Sequence, residues 1–118
     1  MGFSVPDAPI LWTLEEALVF TRALEPLLNK AGWSLGIAGS VLLHGQSSND
    51  LDLIVYPLNN GKIDRDGLQA TLQAFGMLLK HDSIVVHQAW RRQRSTDRKH
   101  VEVWETKDGK RVDVFVLT

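Results

Sequence analysis

The chain has 118 residues, no cysteine, 44% hydrophobic and 23% charged residues, and a formal net charge of -1. That size and balance fit one globular domain with a real core, and they exclude general disorder, a disulfide framework, a thiol nucleophile and a cysteine-based zinc site. The near-neutral charge argues against whole-surface steering toward nucleic acid, and no apolar run approaches the ~20 residues that span a bilayer.

Residues 1–11, with Pro6 and Pro9, read as an irregular lead-in. Thr13-Leu14-Glu15-Glu16 has capping-box spacing, with Thr13 as N-cap and Glu16 at N3. Leu14, Ala17, Leu18, Thr21, Leu24, Leu28 and Ala31 continue as a helical stripe, and Gly32 is placed to stop it. Pro26 predicts a kink or a break into two helices, because its ring meets the carbonyl of Arg22.

Trp33–Ala38 reads as a strand ending at Gly39-Ser40, followed by one helical turn over Val41–His44 that Gly45 closes. His44 reads as a packed or hydrogen-bonded histidine rather than a ligand. Asp50–Tyr56 is a second strand, stopped by Pro57. Asp64 is placed to cap a helix carrying Leu68, Leu72, Phe75 and Leu79, weakened by Gly67 and Gly76. Ser83–His87 is predicted as a third strand. A basic segment from Gln88 to His100 precedes two alternating runs, Val101–Glu105 and Arg111–Leu117, which Asp108-Gly109 suits to a hairpin. Trp12, Trp33 and Trp104 read as core or interface anchors. No repeat or linker divides the chain. The expected fold is α+β, a mixed sheet packed against helices, in a single domain over residues 1–118.

The sharpest chemical feature is Asp50-Leu51-Asp52. On a strand, alternate residues share a face, so both carboxylates aim one way while Leu51, Leu53 and Val55 aim the other. Two such groups repel unless cations or protons intervene, and their hard oxygens suit Mg²⁺ or Mn²⁺. An edge strand with solvated aspartates produces the same alternation. Asp113, between Val112 and Val114, is harder to explain, because an aspartate inside an apolar strand needs a partner or a metal. Gly39-Ser40 offers close backbone approach and a hydroxyl for phosphate, although such a pair is often only a turn. Ser47 is open to the same two readings.

Gly39-Ser40, nine residues, then Asp50-Leu51-Asp52-Leu53 resembles the signature of the polymerase-beta-like nucleotidyltransferase superfamily. Arg111-Val112-Asp113-Val114-Phe115 resembles its later strand with the third carboxylate. The resemblance runs from about Trp33 to the last residue. It implies metal-dependent transfer of a nucleoside monophosphate from an NTP, ATP first among candidates, to an acceptor hydroxyl on RNA, protein or a small molecule. Asp50, Asp52 and Asp113 would be catalytic and would hold Mg²⁺, or Mn²⁺. Gly39 and Ser40 would bind the nucleotide. Apart from the resemblance, the Ser47 hydroxyl could touch phosphate, and Arg91, Arg92 and Arg94 of the basic segment could grip triphosphate or an RNA acceptor, with Trp90 available to stack; a solvated connector is the plainer reading of that segment. The chain stops five residues after Asp113, so it resembles a minimal catalytic module whose acceptor platform is expected from a homodimer mate or a separate helical partner protein. A cytoplasmic protein without membrane contact is expected. The competing readings are an inactive nucleotide-binding or protein-interaction module of the same fold, and an unrelated α+β domain with exposed aspartates.

Overall fold

A computed structural model describes residues 9–58, 63–82 and 99–117. Its elements in chain order are β1 (Trp12–Thr13), α1 (Leu14–Lys30), β2 (Trp33–Ala38), α2 (Gly39–His44), β3 (Gln46–Ser47), β4 (Asp50–Pro57), α3 (Arg65–Ala74), β5 (Leu78–Asp82), β6 (Lys99–Glu105) and β7 (Arg111–Leu117). The main sheet runs β2-β4-β7-β6-β5, and β1 pairs with β3 in a small ribbon beside it. Only the β4–β7 pairing among these is parallel; β2–β4, β6–β7 and β5–β6 are antiparallel. The expected mixed α+β sheet is therefore present.

Sequence chemistry accounts for most of the boundaries. The Thr13 hydroxyl accepts from the Glu16 amide, the Glu16 carboxylate accepts from the Thr13 amide, and the capping box starts α1 as predicted. Gly32, at φ +89°, sits just beyond the end of α1, where its amide donates to Asn29. Asp64 caps α3 by accepting from the Gly67 amide at 2.8 Å. Gly109, at φ +81°, turns the β6–β7 hairpin.

Two boundaries differ from expectation. α1 runs through Pro26 as one helix, because fully buried Leu24 and Leu28 hold it to the core on both sides of the proline. Leu79 is not on α3. That helix ends at Ala74, Gly76 takes φ +103°, and the chain re-enters the sheet at Leu78. A strand that the sequence reading did not place lies at Leu78–Asp82, and Ser83–His87, where a strand is predicted, is outside the described residues.

Leu51, Leu53 and Val55 of β4 and Val112, Val114 and Val116 of β7 face α1 and α3 with no exposed surface. Leu24, Leu28, Leu68, Leu72, Trp33 and Trp104 complete that layer, as the anchor reading of the tryptophans required. Full burial of an aliphatic side chain contributes ~1.5–3 kcal/mol, so this face dominates the stability of the sheet. Its opposite face is left for Asp50, Asp52 and Asp113. Among the described residues no helix is long and apolar enough to cross a membrane.

Candidate functional site

Pleating sets the geometry of the carboxylates. β4 lies inside the sheet, between β2 and β7, so Asp50 and Asp52 are not solvated groups on an edge strand. Parallel pairing puts Asp52 directly beside Asp113 and Asp50 beside Arg111. One oxygen from each of Asp50, Asp52 and Asp113 lies within 4.8 Å of the others. Asp113 is buried; Asp50 and Asp52 are half-buried.

Arg111 is a member of this cluster that sequence reasoning left without a role. Its Nε donates to Asp113 Oδ1 at 2.8 Å and its Nη2 to Asp113 Oδ2 at 3.2 Å. The same Nε lies 3.9 Å from Asp50 Oδ2. The signal was the i, i+2 spacing, which puts an arginine and an aspartate on one strand face. It also supplies the partner that Asp113 lacked on paper.

Among the described residues, one guanidinium does not balance three carboxylates. Burial, then repulsion from Asp52, then a hydrogen bond to Asp113 push the Asp50 carboxyl up to about 6, with Arg111 opposing. Burial and repulsion from Asp113 likewise push Asp52 up to about 6. The hydrogen bonds to Asp113 raise Arg111 further, so it stays charged. Such a site is short of positive charge at neutral pH. Three converging hard oxygens with that deficit fit a divalent cation of the Mg²⁺ or Mn²⁺ type.

Gly39 and Ser40 open α2 where β2 ends, and Ala38 is the register partner of Asp52. Gly39 has φ +67°, and a Cβ there would collide with the Asp52 carboxylate. Glycine is required at that position to leave Asp52 its place. Ser40 is exposed and, with Ser47, His44 and Asp50, lines a groove of about 410 Å³.

Ser47 is buried, and its hydroxyl accepts from the amides of Asn49 and Asp50 at 3.1 Å each. It holds the turn that delivers Asp50, whatever else it touches. His44 is exposed on this groove rather than packed, because α2 presents only Val41 to the core. Trp90, Arg91, Arg92 and Arg94 lie outside the described residues.

No protein-family model matches this chain. No curated protein matches it by sequence. Solved structures do match. A cytoplasmic RNA terminal U-transferase gives a TM-score of 0.57 at 14% identity, covering 87% of this chain and 28% of that one. The Cid1 poly(U) polymerase with Mg 3′-dATP bound gives 0.57 at 15% identity, covering 87% of this chain and 30% of that one. A second Cid1 structure, concerned with RNA terminal uridylyl transferase activity, gives 0.55 at 16% identity, with 87% and 31% covered. The fold is that of the nucleotidyltransferases. The chain spans under a third of the length of these structures.

Proposed function

We propose that this chain transfers a nucleoside monophosphate from an NTP to an acceptor hydroxyl, with divalent cations held by Asp50, Asp52 and Asp113. The observation that carries the reading is the convergence of those three carboxylates within 4.8 Å, on a nucleotidyltransferase fold. Cations held there would supply electrophilic pull on the α-phosphoryl group, lower the pKa of the acceptor hydroxyl and offset charge on the pyrophosphate that leaves as the new ester bond forms.

The side chains divide the remaining work. Gly39 keeps the wall beside Asp52 free of a Cβ. Ser40, exposed on the adjoining groove, would donate its hydroxyl to a phosphate oxygen. Asp113 would accept the acceptor proton, and Arg111 fixes its carboxylate plane through two hydrogen bonds. Arg91, Arg92 and Arg94 remain proposed triphosphate contacts, and a homodimer mate or helical partner the proposed acceptor platform. RNA, protein and small-molecule acceptors are all in scope. ATP is the first nucleotide to test, and UTP the second because the matched structures are U-transferases.

The Arg111–Asp113 clamp favours a second reading, a nucleotide-binding module without transfer, since an arginine already occupies both oxygens of the third carboxylate. One assay separates the two. The protein is given Mg²⁺ or Mn²⁺, α-labelled ATP or UTP, and pools of RNA, protein and hydroxylated small molecules. Label moving to an acceptor, and lost in Asp113→Asn, supports transfer. Calorimetric binding of Mg-NTP without any label movement supports the binding module. Neither binding nor transfer overturns both.

A further inference from the structure

A second surface lies away from the carboxylates and does not depend on the proposed function. β2 is the terminal strand of the main sheet, with β4 on one side and no strand on the other among the described residues. Beside it α1 and α2 form a groove of about 510 Å³ lined mainly by apolar side chains, including Leu18, Leu35, Ile37 and Leu42. Leu18 and Leu42 are 36% and 56% exposed. An open strand edge flanked by exposed leucines is a ready template for another strand.

The rim carries one charge of each sign. Arg22 and Glu25 both line the groove, both are exposed, and neither makes an ion pair or side-chain hydrogen bond among the described residues. With Leu18 they stand at i, i+4 and i+7, one stripe of α1. A stripe holding both signs beside an open edge is complementary to itself under two-fold rotation. Two antiparallel copies of α1 centred between residues 23 and 24 set each Arg22 opposite the other Glu25. Antiparallel pairing of the two β2 edges requires the same two-fold axis, perpendicular to the sheet.

We propose that this groove seats a second copy of the chain, in an isologous dimer joined through β2 and sealed by reciprocal Arg22–Glu25 ion pairs. Because the axis is perpendicular to the sheet, both carboxylate clusters open on the same side of the joined sheet.

Charge reversal tests this without touching the core. In equilibrium sedimentation the wild-type chain should be dimeric at micromolar concentration. Arg22→Glu alone and Glu25→Arg alone should each shift toward monomer, since each places like charges across the axis. An equimolar mixture of the two variants should recover the dimer, because every rim contact is again opposite in sign. Leu42→Lys should weaken the dimer in any background, and circular dichroism confirms that each variant is folded. A wild-type monomer up to about 100 µM overturns the proposal, since interfaces of standard size hold at micromolar or below. So does a dimer indifferent to the reversals, or variants that fail to re-pair when mixed. A chain that gains mass only when a different protein is added assigns the groove to that partner instead.

Discussion

The two faces of the central sheet each bury a carboxylate, and they treat it in opposite ways. On the helix-covered face, Glu102 is fully buried. It receives hydrogen bonds from Gln69 Nε2 at 2.7 Å and Trp104 Nε1 at 2.9 Å, with Arg65 Nη2 at 3.5 Å. On the opposite face, Asp50, Asp52 and Asp113 share one guanidinium among the described residues. Glu102 ties β6 to α3 and is satisfied by protein donors. The aspartates repel one another, and burial penalises their charge further. A carboxylate matched by donors is part of the scaffold. A cluster whose charge exceeds its donors among the described residues is suited to a cation.

The contrast makes the two carboxylate sets respond oppositely to neutralisation. The largest effect belongs to Asp52→Asn. Losing an outer-shell partner of a metal ligand costs roughly 10–100-fold, so losing the ligand itself should lower nucleotide transfer by more than ~100-fold. The metal-free variant should be at least as stable as the parent in urea, because a repelled charge is gone. A destabilised Asp52→Asn protein would mean that the aspartates are scaffold too.

Glu102→Ala should do the reverse. It strands the buried Trp104 donor beside a half-buried Gln69 and should cost about 1–3 kcal/mol by urea titration. Metal affinity of the folded fraction should not move. If Glu102→Ala weakens Mn²⁺ binding while stability holds, the two faces are not independent.

The smallest effect is in pH. Asp50 and Asp52 titrate near 6 when folded, above the ordinary aspartate value of ~3.9. Their contribution to stability is therefore fully present below about 4 and is lost as pH rises through about 6. Without divalent cations, Tm should fall across that window by on the order of 5 °C relative to the Asp50→Asn/Asp52→Asn double variant. Mg²⁺ or Mn²⁺ should restore the loss above pH 6 and do little at pH 4. A profile with the opposite slope would remove the unbalanced-charge account of the site.

Much of this was legible in short-range chemistry. The Thr13–Glu16 capping box, the Asp108-Gly109 hairpin and the alternation of Asp50-Leu51-Asp52 each depend on residues a few positions apart. Leu79 was misread because it continues the spacing of Phe75; only the backbone turn at Gly76 ends that pattern. The break offered at Pro26 is absent because packing of Leu24 and Leu28 overrides a local breaker. The neighbour relation of Asp52 and Asp113 was expected from the family resemblance alone. It rests on parallel pairing of strands far apart in sequence, which no local pattern encodes. Val101-Glu102-Val103-Trp104 shows that Glu102 and Trp104 share a face, yet not that this is the covered one.

The position of β7 has a consequence for the order in which the protein matures. Although it follows every other strand in the chain, β7 is threaded between β4 and β6 at the middle of the sheet. Until Arg111–Leu117 has left the ribosome, β4 and β6 present raw edges and the cluster lacks Asp113. Joining β4 to β6 and bringing Asp113 beside Asp50 and Asp52 are therefore a single event. A nascent chain stalled before β7 lacks the third carboxylate of the cluster and leaves two strand edges to shield.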